Sequence, residues 1–522
     1  MAQTLNFKLK KHFYMKTKTL LLLLLSLGIL IIGPGCKKIL DRPVLGSYTP
    51  QNFFTSDANA QLAINEAYKY LAFNSGATNA IWVLGDLSSD DVVKGGSSIG
   101  DQPDFQAVNQ FEILPTNAAV EAVWGNYYNG VFACNVVTDG LKGNTAVSSG
   151  MQQQGIAQAK FLRAYYYFIL TLCYGNIPLH LTVQTATEAQ TPALAQDTIY
   201  TQIENDCIAA AALLPVSVPA AQLGMATQGA ALALLAKTYL FHSDLTNHYQ
   251  LAAQTAQQVV ALGYSLTNNY WDNFNANTKA NTEEIFTVNH IAGTLGLGNE
   301  LNVWFAPRSP APTDGYGFFL PTQSLVNNYE TATDGTPDPR LDYTIAREGH
   351  PYFDLAYDST WSLTGYNCKK MVQPLSEVPA ATKNVGTVNY EALRLSDILL
   401  VEAEALNESG QSAAALAPLN QVRERARNSY LYDNTLTGYP NVPAGLLPDV
   451  TITDQGQLRA IIQRERRSEL ALEFHRFFDL IRYGSAYATA ALSPQAPNFN
   501  FSANKWFPLP QSERDANPNL FK

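Results

Sequence analysis

The sequence predicts a mainly α-helical protein in which tetratricopeptide-like helical hairpins form a scaffold that carries long irregular insertions. Three observations support this fold class. Apolar and small residues recur at helical spacing through much of the chain, and neighbouring helical segments pair into hairpins of about 34 residues. Two further segments are too rich in Gly, Pro, Asn and aromatic residues to continue that pattern.

The composition of the 522 residues excludes two classes of protein. With 46% hydrophobic and 15% charged residues, the chain is too apolar and too lightly charged to be disordered. Its 44 acidic and 34 basic residues give a net charge of −10, so no nucleic-acid partner is expected. A chain of this length can bury a large core without disulfides.

Residues 1–35 have the pattern of an export signal. Five lysines and no acidic residue accompany an apolar run at 20–32, which is too short to cross a hydrocarbon core of about 30 Å but typical of a signal peptide. The small residues Gly33, Pro34 and Gly35 then lead directly to Cys36, as in a bacterial lipobox. We therefore expect removal of a lipoprotein signal peptide at 1–35 and lipid attachment at Cys36, which anchors the protein to a membrane. A secreted protein with a coincidental cysteine is the alternative.

The remaining chain, 36–522, is expected to be a single domain. Its helices are predicted from apolar periodicity at 56–71, 118–141, 151–174, 197–214, 229–241, 249–262, 394–407, 412–427 and 457–483. The loop-rich insertions lie at about 74–115 and 264–388. Loops of that length in a compact protein usually carry function.

The other cysteines do not suggest a metal site. None forms a CxxC pair, and Cys134, Cys173 and Cys207 lie in apolar helical patterns, so we expect them to be small core residues. The sequence contains no HExxH, GxxxxGK[ST] or EF-hand pattern, and no cofactor or metal is expected.

Motifs from Cys36 to the end of the chain resemble those of the SusD/RagB family of outer-membrane lipoproteins. They are CKKILD at 36–41, AKFLRAYYYF at 159–168 followed by YGNIP at 174–178, LNQVRERA at 419–426, RERRSELALEFHRFFDL at 464–480 and FPLP at 507–510. The resemblance implies a non-enzymatic, lipid-anchored receptor on the outer face of the outer membrane. Such a receptor captures oligosaccharide, or in some members peptide, and delivers it to a TonB-dependent SusC-like barrel. It also implies four tetratricopeptide-like hairpins that support a loop-built ligand face.

The segment 464–483 is dense in ionisable residues, yet we interpret it as structural. As one continuous helix it places Glu465, Glu469 and Glu473 on a single face, flanked by arginines. This pattern is typical of a scaffold helix with many ion pairs. His475 is expected to be a structural histidine.

Capture of a sugar requires aromatic faces for its C–H surfaces and polar partners for its hydroxyls. The two insertions supply both kinds of residue. The candidate ligand-binding residues are Trp82, Asp86, Asp90 and Asp91 in the first insertion and Trp304, Tyr316, Phe318 and Trp361 in the second.

Three alternatives remain at this stage. One is a receptor of the same type that takes peptides, and another is a tetratricopeptide scaffold that binds only proteins. A surface glycosidase needs two opposed carboxylates about 5–10 Å apart, whereas the pairs Asp90/Asp91 and Glu283/Glu284 are adjacent in sequence and so diverge in direction. A G-x-S-x-G pattern at 96–100 lacks the helix that a nucleophile elbow requires.

Overall fold

The structure is a computed structural model that describes residues 53–293 and 295–522. The predicted signal peptide at 1–35, the lipid-attachment residue Cys36 and the motif at 36–41 lie outside the described residues. Residues Phe54–Lys522 form one compact unit. It is mainly helical, as predicted. Within the described ranges, no helix combines the length and apolarity needed to cross a membrane.

Seven α-helices between residues 53 and 263 precede the second insertion. They are α1 (Asp57–Tyr68), α2 (Pro103–Gln110), α3 (Ala118–Leu141), α4 (Ser149–Tyr174), α5 (Gln196–Ala211), α6 (Gln228–Phe241) and α7 (His248–Val260). Several begin where predicted because a polar side chain caps them. Asn117 accepts hydrogen bonds from the first turn of α3, and Ser148 and Thr227 do the same for α4 and α6.

Seven more helices follow the insertion. They are α11 (Leu395–Glu408), α12 (Ser412–Asn428), α13 (Gln455–Glu469), α14 (Arg476–Arg482), α15 (Ser485–Leu492), α16 (Phe501–Asn504) and α17 (Gln511–Ala516). From α3 to α7 each helix packs mainly against its neighbours in sequence, and α7 continues onto α11 and then α12. This stepwise packing is that of a helical-repeat scaffold, and it confirms the predicted hairpins α6–α7 and α11–α12.

The two insertions, and the segment that directly follows the second, contain further short helices and strands. These are α8 (Leu301–Phe305), α9 (Gln323–Val326), α10 (Pro339–Thr344), β1 (Val92–Lys94), β2 (Glu284–Val288), β3 (Phe319–Pro321), β4 (Ile345–Ala346), β5 (Pro351–Tyr352), β6 (Leu355–Ala356), β7 (Asn367–Cys368) and β8 (Tyr390–Arg394). The strands pair antiparallel as β1–β3, β2–β8, β4–β7 and β5–β6. The β1–β3 pair places Val93 of the first insertion opposite Leu320 of the second. The two insertions are therefore joined by backbone hydrogen bonds.

The core is centred on α4, in which every residue from 161 to 174 is buried. Arg163 of this helix forms a two-point ion pair with Asp206 of α5, at 2.8 and 2.9 Å. Cys134, Cys173 and Cys207 are buried, as predicted. Burial raises the pKa of each of the three thiols, so they stay protonated and act as small packing residues.

His242, at the end of α6, is buried between two carboxylates. Its ring nitrogens lie 2.6 Å from Glu204 and 2.7 Å from Asp197, both on α5. Burial alone would lower the pKa of His242, but these two hydrogen bonds outweigh it and raise the pKa above its usual value.

The prediction of one helix across 457–483 is wrong. Helix α13 ends at Glu469 and α14 begins at Arg476, and between them Leu472 and Phe474 have φ values of 64° and 70°. This left-handed conformation is unfavourable for residues with a side chain. It is held in place by Asp86, whose carboxylate accepts the backbone N–H of Phe474 at 2.9 Å and of Arg476 at 3.1 Å.

Candidate functional site

Four aromatic rings surround Trp304 at the junction of the two insertions. The ring centroid of Trp304 lies 5.7 Å from that of Trp82, 5.8 Å from Phe105, 5.4 Å from Tyr316 and 5.3 Å from Phe318. Most of these pairs are tilted or edge-to-face, which is the favourable geometry for aromatic contacts. Four of the residues predicted to bind ligand therefore lie in one aromatic cluster, together with Phe105, which the sequence analysis did not single out.

Most of this cluster is packed beneath the surface. Trp82 is fully buried and donates its indole N–H to the carbonyl of Gly76 at 2.9 Å. Phe318 and Trp304 are also buried, and the Trp304 indole N–H donates to Glu300 at 3.2 Å. A buried ring has no free face to offer a ligand. The structure thus gives Trp82, Phe318 and Trp304 packing positions, which corrects their predicted role as rings that a ligand contacts.

Tyr316 is the exposed member of the cluster among the described residues, with 37% of its surface accessible. The Lys383 ammonium lies 5.9 Å from its ring centroid and pairs with Asp314 at 2.7 Å. Arg308, also part-exposed, lies 3.7 Å from Asp101. We call Tyr316, Arg308, Asp314 and Lys383 the Tyr316 surface. It combines an aromatic ring with polar groups of both charges, which suits a hydroxyl-rich ligand.

The predicted aspartates do not contribute to this surface. Asp90 is buried and pairs with Arg476 at 2.7 Å and with Arg467 at 2.9 Å, and Asp91 pairs with Arg467 at 2.7 Å. Asp86 is also buried, and burial together with the nearby Asp91 raises the pKa of Asp86 to about 8. The structure corrects their predicted role, because their side chains hold the first insertion against α13, α14 and the backbone between these helices.

Trp361 lies apart from the cluster. Its ring is part-buried and packs edge-on against Tyr357, with centroids 5.5 Å apart. It shares no ring contact with Trp304 or Tyr316 in the structure. The prediction that Trp361 belongs to the same ligand face as Tyr316 thus has no support from its contacts.

The ionisable segment after α12 forms a buried ion-pair network, which confirms its structural interpretation. Glu469 is fully buried and accepts hydrogen bonds from Arg340 at 2.9 Å, from Arg394 at 2.6 Å and from Arg425. Burial would raise the pKa of Glu469, but the three guanidinium groups hold it far below its usual value. The carboxylate is therefore ionised at neutral pH.

The same network anchors the second insertion at three points. Arg340 also pairs with Glu465 at 2.6 Å, Lys370 pairs with Glu473 at 2.8 Å, and Glu283 pairs with Arg394 at 3.0 Å. The sequence pattern revealed the glutamates but not their partners. Those partners come from distant parts of the chain and carry no local signal.

Three of the four carboxylates considered from sequence as glycosidase pairs are bound in these ion pairs. Asp90, Asp91 and Glu283 are all buried and bound to arginines. Burial raises the pKa of each of these carboxyl groups, but Arg476 and Arg467 outweigh it at Asp90, and Arg425 and Arg394 outweigh it at Glu283. The pKa values of Asp90 and Glu283 are therefore lowered, whereas that of Asp91 stays raised. Among the described residues, no group of three or more His, Cys, Asp or Glu side chains is arranged to hold a metal ion.

Cavities elsewhere in the described part of the chain include two of several hundred Å³. One, of about 350 Å³, is enclosed by side chains of α5, α6, α7, α11, α13, α14 and α16. The other, of about 430 Å³, is bordered by mostly apolar residues around β2. None of the eight residues predicted to bind ligand borders either cavity.

Comparison with known proteins gives related matches for both halves of the chain. A family model described as "SusD family" matches residues 259–522, and another, described as "Starch-binding associating with outer membrane", matches residues 45–240. SusD-like protein P2 of Formosa agariphila is 28% identical over 528 residues, which cover 94% of this chain and 97% of that protein.

Solved structures show the same fold. A laminarin-binding SusD-like protein is 28% identical with a TM-score of 0.70, over 89% of this chain and 98% of the other. Surface glycan-binding protein A of Bacteroides thetaiotaomicron, solved in complex with laminarihexaose, is 24% identical with a TM-score of 0.73, over 89% of this chain and 98% of the other. Because the SusD family model alone matches just over half of the chain, this protein belongs to the SusD family.

Proposed function

We propose that this protein is a lipid-anchored receptor on the cell surface that binds oligosaccharide and passes it to a TonB-dependent SusC-like barrel in the outer membrane. The observation that best supports the binding step is the Tyr316 surface. There an exposed tyrosine lies on a packed aromatic cluster at the junction of both insertions. Relatives named as glycan-binding and laminarin-binding proteins support an oligosaccharide ligand.

Binding at the Tyr316 surface is tested by calorimetry with laminarihexaose. The Tyr316→Ala variant should bind more weakly than the wild type because the ring no longer covers a sugar face. Tyr432→Ala is the matched control, because Tyr432 is also exposed but lies in a different loop. Equal binding by the wild type and the Tyr316 variant would place the site elsewhere.

The same surface can be tested for a peptide ligand, since Lys383 and Asp314 offer charges of both signs. A mixture of short peptides should not bind in a Tyr316-dependent way if the ligand is an oligosaccharide.

The receptor should also leave laminarihexaose intact. Chromatography after long incubation would reveal products if the protein were instead a glycosidase.

Anchoring and transport are proposed from the sequence around Cys36 and from family membership. A tethered receptor has no energy source of its own, so ligand transfer across the membrane needs a transporter. Affinity purification from cells in mild detergent should recover a SusC-like barrel with the receptor. Repeated recovery of the receptor alone from ligand-grown cells would contradict this part of the proposal.

A further inference from the structure

The cavity of about 350 Å³ among the helices, here called the interhelical cavity, lies on the scaffold rather than on the insertions. Small-molecule sites usually have volumes of about 300–1,000 Å³. The interhelical cavity is therefore large enough for a small ligand. The part-exposed side chains of Tyr249 and Phe501 contribute to its wall, so its interior is accessible from solvent.

Four polar side chains at this cavity have unused hydrogen-bonding capacity among the described residues. Arg459 donates hydrogen bonds to Glu408 through Nε, at 2.7 Å, and through Nη2. Both N–H groups of its Nη1 atom therefore have no partner among the described residues. The Gln463 amide and the Tyr249 hydroxyl form no hydrogen bond there, and the Lys505 ammonium contacts only the Trp506 ring, at 4.1 Å from its centroid. Donors and acceptors thus line the same cavity as several aromatic rings.

The charges at the cavity are nearly balanced, with Lys505 as the one unpaired cation among the described residues that line it. The guanidinium of Arg459 is neutralised by Glu408, and that of Arg482 by Glu404. Burial lowers the pKa of His248, so this histidine is neutral at pH 7. A cavity with aromatic walls, spare hydrogen-bonding groups and nearly balanced charge matches the chemistry of a sugar, which has apolar C–H faces and many hydroxyls.

From this arrangement we propose that the interhelical cavity is a second saccharide-binding site that takes one or two sugar rings. It shares its ligand class with the proposed function but uses none of the residues of the Tyr316 surface. A second site of this kind would let the receptor hold a short fragment, or the end of a long chain, independently of the loop face.

The test uses the Tyr316→Ala protein, in which the loop surface is disabled, and three disaccharides: laminaribiose, cellobiose and maltose. Saturation-transfer NMR and calorimetry should show binding of at least one of them. In that background, Gln463→Leu should weaken binding about fivefold, the effect of losing one net hydrogen bond, and Lys505→Met should weaken it by a similar factor. Leucine approximates the size of glutamine, so the scaffold should fold normally.

Gln457→Leu is the matched control, because Gln457 is exposed on the same helix and does not border the cavity. It should bind the disaccharide as the Tyr316→Ala protein does. Absence of binding for all three disaccharides, or binding that both cavity variants leave unchanged, would overturn the inference. These outcomes are independent of the hexasaccharide comparison between wild type and Tyr316→Ala, which decides whether the loop surface is a site.

Discussion

Replacing Glu469 by glutamine should cause one of the largest stability losses available from a single isosteric change in this protein. The Glu469 carboxylate is fully buried and serves Arg340, Arg394 and Arg425. A glutamine keeps the shape but removes the negative charge, and its amide NH₂ group can only donate towards guanidinium groups that also donate. Removing one partner of a buried ion pair typically costs about 3–5 kcal/mol. We expect an effect in that range at pH 7, where the carboxylate is ionised.

The free energy of unfolding is measured by urea denaturation followed by circular dichroism, with the slope of the transition compared between proteins. Glu424→Gln is the matched control, because Glu424 is exposed on α12 and forms no ion pair in the structure. The control should change stability by less than about 0.5 kcal/mol. If Glu469→Gln were as stable as the control, the network would not hold the insertion to the scaffold, and the argument from buried charge would be refuted.

Three further changes have distinct expected outcomes. Tyr316→Ala should weaken oligosaccharide binding by about 1–3 kcal/mol, a range scaled from aromatic–base stacking, and should leave the melting temperature unchanged. Trp82→Ala should instead lower the free energy of unfolding by about 3–5 kcal/mol. Calorimetry and thermal melting of both proteins separate the two effects. Cys36→Ala should release the protein from the membrane fraction, and a wild-type intact mass without acyl groups would disprove the anchor. Because the folded-state pKa of His242 is raised, its stabilising contribution is complete below about pH 6.5 and is lost as the pH rises through the folded-state value. The free energy of unfolding of the wild type should therefore fall as the pH rises from about 6.5 to the folded-state pKa of His242, and that of His242→Gln should fall less steeply. Parallel pH profiles would refute this assignment.

The scaffold helices were predictable because their signals are local. The helix predicted at 118–141 is α3 to the residue, since Asn117 caps its start and apolar residues recur along its length. The break between α13 and α14 was not predictable in the same way. It depends on Asp86, almost 400 residues earlier, and no feature of the segment itself marks a left-handed turn at Leu472.

The arrangement of the candidate ligand residues was likewise only partly predictable from local sequence. Grouping Trp82, Trp304 and Tyr316 from composition identified side chains that do meet in space, because aromatic residues concentrate in both insertions. Which ring is exposed depends on the β1–β3 pairing, a contact between segments more than 200 residues apart. The aspartates at 90 and 91 likewise found their arginine partners only through the tertiary fold.

The anchoring of both insertions by buried ion pairs has a consequence for how such a receptor can change its specificity. Arg340, Lys370 and Glu283 hold the base of the second insertion, and Asp90 holds that of the first, to glutamates and arginines of the helical scaffold. The exposed tips between these points, such as the one that carries Tyr316, take no part in the network. New loop sequences can therefore be exchanged at the tips while the attachment points keep their place, so that ligand preference can diverge without a new fold.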